Sequence, residues 1–307
     1  MASALDRAAS RLGFAAWGVA EAHESTEAPA LSAWLDAGYH ADMDWMDRHA
    51  EMRADPRLLF PGCRSVIMFA DSYRDPEGHD GSVVARYACG NDYHRTMKDR
   101  IHEVWAELRA LAPAAKGRVV ADSAPLMEHY WAARSGVGWA GKHTLTITEE
   151  AGSFVTLGCL LTDLALPTSK PSVDRCGTCR ACLDACPTGA IVAERLVDAR
   201  RCLSYLTIEK KGPLSAEEGA ALGARVFGCD ACQDACPWNQ TPRSHRVLKP
   251  AAYGRSMDPR VTPDPRQWLA ESCAEESLFK ERLGATPLTR IGRDGLKRNL
   301  EASIRPA

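Results

Sequence analysis

Twelve cysteines stand in a chain of 307 residues, and eight of them fall in or between two tight motifs. The first motif, "CGTCRACLDACP", sets Cys176, Cys179, Cys182 and Cys186 at the spacing C-x2-C-x2-C-x3-C and ends on Pro187. That spacing is the run that holds a 4Fe–4S cluster: three thiolates from one tight loop reach three corners of a cube. The fourth starts a helix and points away, toward a second cluster, and Pro187 suits a helix start. The second motif, "CDACQDACP", repeats the last three cysteines as Cys229, Cys232 and Cys236 before Pro237. Its missing first cysteine would fall at Val226, and Cys202, between the motifs, is the substitute. The ligand accounting then closes, with Cys176, Cys179, Cys182 and Cys236 on one cluster and Cys186, Cys202, Cys229 and Cys232 on the other. Zinc favours two CxxC pairs at a longer separation, without a third cysteine or a Cys-Pro ending.

Two clusters this close form an electron wire. A bare ferredoxin needs only a few dozen residues, yet about 165 residues precede this wire and about 70 follow it. Something in that bulk receives the electrons. The rest of the composition is that of an ordinary soluble chain, 45% apolar and 25% charged, and the net charge of −2 gives no global pull toward nucleic acid. Arg11 interrupts the N-terminus "MASALDRAASRLGFAAWGVAEAH", which has neither a secretory core nor a twin-arginine signal. No apolar run reaches the eighteen residues of a membrane span. The expectation is a cytoplasmic chain with metal-ligating cysteines rather than disulfides.

The elements that must position this chemistry read as α/β in the N-terminal part. "ALDRAASRLGFAAWGVA" has helical spacing with Gly13 near a helix end, and "ALSAWLDAGYH" predicts a helix ending at Gly38. "SVIMFADSY" (Ser65–Tyr73), "GRVVAD" and "SFVTLGCLLTDLAL" (Ser153–Leu166) predict strands. Thr96–Ala112 predicts an amphipathic helix with Ile101, Val104, Trp105 and Leu108 on one face. "PTSKPS" (Pro167–Ser172) marks a boundary. The division expected is residues 1–166, 167–245 for a ferredoxin-like part with two 4Fe–4S clusters, and 246–307 for a short, basic, mainly helical segment.

Other polar residues admit two readings. Asp122 ends a strand before "SAPLMEH", where it or Ser123 can cap the next helix or Asp122 can serve as a general acid. "GVGWAG" (136–141) matches G-x-G-x-x-G but lacks the strand–helix context of a dinucleotide site, so its glycines are read as allowing close backbone approach to a large flat ligand. "RYACGNDYHR" (Arg86–Arg95) suits a polar pocket or a solvated loop, and His94 and His143 suit a surface or a core. "HADMDWMDRHAEMRADPR" reads as an exposed helix and turn. Cys63, Cys159 and Cys273 read as small packing residues. From Lys280 to Arg305 seven Lys/Arg face three Asp/Glu, a net of +4 that suits phosphate contacts or an ordinary charged helix surface.

Taken together, "RYACGNDYHR", "ADSAPLMEHYWAARSGVGWAGKHTLTI", the eight-cysteine pattern, "YLTIEKKGP", "CDACQDACPWN" and "LGATPLTRIGRDGLKRN" resemble the epoxyqueuosine reductases, from about residue 10 to residue 300. The resemblance implies a cobalamin-dependent oxidoreductase with two 4Fe–4S clusters. It would reduce epoxyqueuosine to queuosine at the wobble position of tRNA, the last step of queuosine synthesis. It implies an N-terminal cobalamin-binding domain, although the base-off motif D-x-H-x-x-G is absent and "DYHRTM" lacks its glycine. The family is similar to reductive dehalogenases, which also bind cobalamin without that motif.

Carried over residue by residue, the family's proton donor is Asp122. The resemblance implies Arg53, Tyr87, Cys89, Gly138, Lys142, His143, Thr144 and Ser153 around the corrin and the modified base, with Cys89 facing cobalt but not essential. It offers Lys210, Lys211, Arg243, Lys297 and Arg298 to the tRNA backbone. Many relatives continue into a helical-repeat domain where this chain stops at Ala307. The implied working unit is a cytoplasmic monomer with no membrane contact, served by an external electron donor. The alternative is a cobalamin-dependent reductase of a small molecule, resembling the dehalogenases.

Overall fold

The computed structural model describes residues 1–73, 82–240 and 264–304. Four strands form one sheet: β1 (Ala16–Glu21), β2 (Ser65–Ser72), β3 (Gly117–Val120) and β4 (Val155–Thr162), in the order β1-β2-β4-β3. Every neighbouring pair is antiparallel, so the expected mixture of helix and strand takes the α+β form. β2 is buried along its whole length, which is why it reads as a continuous apolar run. Its residues alternate between two helical layers. Ile67 and Phe69 pack with the helix Tyr93–Leu111 on one face. Val66, Met68 and Ala70 pack with Trp131 and Ala132 of the helix Glu128–Arg134 on the other.

The long helix is where the hydrophobic spacing placed it, with Ile101, Val104, Trp105 and Leu108 buried. It starts three residues earlier than expected because the Asp92 side chain accepts the His94 N–H and caps it. It lies close against β4 at Gly158, where a Cβ would stand 2.5 Å from Met97 Cγ and 2.6 Å from Ile101 Cδ1. The first helix, Ala2–Leu12, stops at Gly13, which takes a left-handed φ of 72°. Gly13 thus ends the helix as read from the sequence, while the remainder of that stretch from Ala16 is not helical but β1, whose inner residues are buried on the sheet.

The 167–172 stretch is pinned rather than loose. Ser169 accepts the Val19 N–H and donates its own N–H to Val19 O, and the Ser172 N–H donates to Ala133 O. The cysteine-bearing part then docks on the sheet domain through a buried lattice. Asn239 Oδ1 accepts the Ser153 N–H at 2.7 Å, Ser153 Oγ donates to Gln233 Oε1, and Tyr73 OH donates to the same Gln233 oxygen. Behind it, Arg86 donates to Asp230 and Asp234. From the other side Trp34 Nε1 donates to Val197 O, and Tyr205 OH to Asp42.

The described part of the C-terminal segment, 264–304, is helical as expected, with Pro265–Ser272, Glu276–Leu283 and Gly292–Ile304. Its Phe279, Leu283, Leu288, Leu296 and Leu300 form a core with Val84, Ala88, Val226 and Phe227 from the other two parts. Cys63, Cys159 and Cys273 are buried among apolar neighbours, in keeping with a packing role.

Candidate active site

The strand β3 ends at Val120, and the chain turns within three residues. The Ser123 N–H reaches Ala121 O at 2.5 Å, and Asp122, at the centre, takes a φ of 54°. A positive φ outside glycine is costly and is tolerated best by Asp and Asn. The turn aims the carboxylate into a cleft. Asp122 Oδ2 accepts Tyr93 OH at 2.7 Å and lies 3.0 Å from His94 Nε2. The other ring nitrogen of His94 is 2.5 Å from Asp92 Oδ1. The capping alternative for Asp122 and Ser123 is overturned: the next helix begins at Glu128 behind Met127, and Ser123 instead accepts from Lys98 Nζ at 2.8 Å.

The charges follow from this wiring. Burial works against ionisation of Asp122, but the hydrogen bonds from His94 and Tyr93 outweigh it and hold the carboxyl at about 2. Burial also works against the His94 cation, yet its bonds to Asp122 and Asp92 raise it to about 9. Glu128 runs the opposite way. Burial, then the Asp122 charge, pushes it up to about 8, so it keeps its proton at neutral pH. The cleft therefore sets an ionised Asp122 beside a protonated Glu128 and an imidazolium.

Asp122, Tyr87 and Tyr93 stand at the junction of two chambers. The inner chamber, about 330 Å³, is lined by Tyr73, His129, His143, Thr144 and Ser153 and opens onto Cys186, Cys202, Cys229 and Cys232. The outer chamber, about 730 Å³, is lined by Trp45, His49, Arg53, His94, Glu209 and Arg290. A third cavity, about 140 Å³, is enclosed by Cys176, Cys179, Cys182 and Cys236. The inner chamber and this third cavity thus take four of the eight thiols each. Within them Cys182 lies near Cys236 and Cys176, and Cys232 near Cys229, Cys202 and Cys186. Among the described residues no three His, Cys, Asp or Glu side chains converge to hold one metal ion. Each tetrad surrounds a space instead of a point.

The inner chamber offers donors to a ligand. His143 Nδ1 accepts the Leu145 N–H and His129 Nδ1 accepts the Thr146 N–H, so each ring carries its proton on Nε2. Burial lowers His143 to about 4, and desolvation within the cleft shifts His129 in the same direction. The buried Nε2 of His143 has no protein partner, nor has Arg53 Nε at the outer wall. Polar atoms left unpaired in a buried wall fit a ligand with carbonyl or phosphate acceptors.

Several expected contacts stand elsewhere. Cys89 does not face either chamber: its thiol lies 3.7 Å from Ala85 O and 3.9 Å from Val84 O, against the C-terminal core. Lys142 is buried with Nζ 2.7 Å from Glu194 and lines the cavity of the first cysteine tetrad. The side-chain spaces at Gly136, Gly138 and Gly141 are filled by Lys170 O, Ile147 O and the His143 ring, so these glycines let the chain approach itself, not a ligand. The helix Glu128–Arg134 precedes "GVGWAG" and the hairpin strands Trp139–Ala140 and Thr146–Ile147 follow, which confirms that the motif lacks a dinucleotide context. Ser153 lines the inner chamber, but its N–H and hydroxyl are engaged by Asn239 and Gln233.

Arg298 donates to the carbonyls of Leu206, Lys210 and Gly212, strapping the C-terminal helix to the cysteine-bearing part, and it is not free for phosphate. Lys210 Nζ is 2.8 Å from Glu218. Lys211 and Lys297 are exposed, and Arg243 lies outside the described residues, as does Arg305 of the basic run. The segment read as an exposed helix and turn instead supplies Met43, Trp45, His49 and Arg53 to the outer chamber, with the Arg290 guanidinium 5.1 Å above the Trp45 ring. Glu128, His129, Trp45 and Arg290 went unrecognised in the sequence, and Tyr93 was read only as part of the polar stretch Arg86–Arg95. The adjacent Glu-His of "SAPLMEH" was the one available signal.

Two family models match the chain: a 4Fe-4S double cluster binding domain over residues 175–239, and one described as epoxyqueuosine reductase QueG, DUF1730, over residues 53–123. An epoxyqueuosine reductase of Vibrio cholerae is 38% identical over 98% of this chain and 82% of its own length. That of Escherichia coli is 42% identical over 95% of this chain and 78% of its own length. A crystal structure of epoxyqueuosine reductase with a tRNA-Tyr epoxyqueuosine-modified stem loop superposes with a TM-score of 0.81. It is 26% identical and covers 99% of this chain and 80% of that one.

Proposed function

Because the chain belongs to the epoxyqueuosine reductase family, we propose that it reduces epoxyqueuosine to queuosine at the wobble position of tRNA, as the last step of queuosine synthesis. The observation that carries this reading is the position of Asp122 at the junction of two chambers, one lined by a cysteine tetrad and the other by Trp45, Arg53 and Arg290. The relative crystallised with a modified stem loop supports tRNA as the substrate carrier. A base extruded from the anticodon would enter by the outer chamber, past Trp45 and Arg290.

The cofactors of this reading are two 4Fe–4S clusters, held by the two thiol tetrads, and cobalamin in the inner chamber. Tyr87, His129, His143 and Thr144 would hold the corrin, with donor N–H groups suited to its amide-bearing rim. When bound, these groups supply the electrons, one at a time, at low potential. The protein's own part is acid–base. Asp122 delivers a proton to the epoxide oxygen so that it does not leave as an alkoxide. Tyr93 and His94 fix the carboxylate, and Glu128 secures the turn that presents it.

In this reading the chain divides at 1–166, 167–245 and 246–307. It works as a cytoplasmic monomer with an external electron donor. Lys211, Lys297 and Arg243 remain as candidates for the tRNA backbone. Among the described residues no helix is long and apolar enough to cross a membrane.

The test is anaerobic. The protein is reconstituted with iron, sulfide and cobalamin, supplied with a chemical reductant, and given tRNA carrying epoxyqueuosine. Nucleoside mass spectrometry should show loss of one oxygen mass with wild type and not with Asp122→Asn. No conversion by a fully loaded wild type overturns the assignment.

A further inference from the structure

We propose that His94, braced by Asp92, is the proton relay that recharges Asp122 twice in every turnover. The inference rests on the reading that this cleft deoxygenates an epoxide. That reaction breaks both C–O bonds, forms a C=C bond and releases the oxygen as water. It consumes two electrons from the external low-potential donor and two protons. A carboxyl group holds one proton, so Asp122 must be refilled between the first transfer and the release of water. The same residue also rests in its ionised form, so even the first proton has to reach it from a neighbour.

The geometry supplies that neighbour. His94 Nε2 is 3.0 Å from Asp122 Oδ2, the distance of a direct transfer, and Asp92 Oδ1 holds the opposite ring nitrogen at 2.5 Å. Because Asp122 is the far stronger acid, the imidazolium gives its Nε2 proton to Asp122 only as Asp122 hands one to the substrate oxygen, and it keeps its Nδ1 proton against Asp92. The His94 side chain is 31% exposed and borders the outer chamber, so water re-protonates Nε2 for the second delivery. Asp92, by staying ionised, keeps the ring basic enough to be refilled. It is a positioning residue that never meets the substrate.

The other groups around the pair do not serve. Tyr93 stacks on the His94 ring and donates to Asp122, but burial and the Asp122 charge raise its phenol far beyond a useful acid. Glu128 reaches Asp122 by accepting its backbone N–H. Desolvation shifts His129 toward its neutral form. Lys98 is engaged by Ser123. Arg53, from the short helix Ala50–Ala54, cannot release a proton. His94, raised to about 9, is protonated throughout the neutral range.

The test measures kcat and KM against pH for the reconstituted holoenzyme, with dithionite-reduced viologen and an epoxyqueuosine-bearing stem loop. Wild type should lose kcat with an alkaline midpoint near 9. His94→Gln should lower kcat by about 10²–10⁴-fold with little change in KM, and the alkaline limb should vanish. Asp92→Asn keeps the ring but moves the limb to lower pH, and added imidazole should restore part of the rate of His94→Ala. Iron content and circular dichroism identify a variant that fails to fold, and Asp92→Asn then carries the test. A wild-type kcat and an unmoved limb in the folded variants overturn the relay while leaving the function intact. A loss confined to KM does the same. An inert wild type removes the functional reading and the relay with it.

Discussion

Glu128 Oε1 accepts the backbone N–H of Asp122 at 2.9 Å, so one carboxyl group of the cleft ties down the turn that presents the other. The bond does not need a charge on Glu128, and burial beside Asp122 denies it one up to about pH 8. Glu128→Gln should therefore retain wild-type kcat below pH 8. Glu128→Ala frees the turn and should lower kcat by at least about tenfold, a loss of about 1.4 kcal/mol in the barrier.

The same residue sets a pH dependence of stability. Its folded value of about 8 lies above the ordinary 4.5, so the folded chain keeps a proton that the unfolded chain gives up. The stabilisation is complete below 4.5 and is lost as pH rises to about 8. Urea unfolding of the apoprotein should show wild type losing stability across this window relative to Glu128→Gln. Parallel curves would refute the assignment.

Gly158 fixes how closely the helix that carries Tyr93 and His94 lies on the sheet. A methyl group there meets Met97 and Ile101 well inside contact distance. Gly158→Ala should cost about 1–3 kcal/mol through overpacking and lower the melting temperature. It should also reduce kcat, since the helix start must shift.

Cys202 and Cys89 make a sharp contrast. Cys202→Ser should remove about half of the bound iron, one cluster of two. Cys89→Ser, against the C-terminal core and away from both tetrads, should keep all of it. Iron and sulfide analysis decides both.

Arg298→Ala should destabilise the fold, because three backbone carbonyls lose their donor. Lys211→Ala and Lys297→Ala should leave stability unchanged and each lower the salt slope of tRNA binding by about 1. Affinity measured between two salt concentrations separates the two kinds of residue.

The cysteine tetrads were legible because cluster ligation is a short-range constraint on one loop, and Cys202 followed from a simple shortage of thiols. The sheet and the long helix were legible from apolar spacing. The Asp92–His94–Asp122 chain was not, because it joins a helix start to the turn after a strand 28 residues away, and polarity has no period to betray the contact. Asp122 came from resemblance, while Glu128 and His129, in the same stretch, offered only their adjacency as a signal. Arg298 misled for a related reason. A sequence displays the charge of a guanidinium but not the carbonyls left without partners at the end of the helix Leu203–Ile208.

The lattice of Ser153, Gln233 and Asn239 has a bearing on how the enzyme matures and how it fails. Gln233 lies next to Cys232, and Asn239 is three residues past Cys236. The residues that close the cleft are thus drawn into place by the same two short turns that must wrap the metal. Metal insertion should then be coupled to assembly of the catalytic pocket. Oxygen that strips the iron would unfasten the pocket as well as cut the current, leaving a chain that must be rebuilt before it can bind its substrate again.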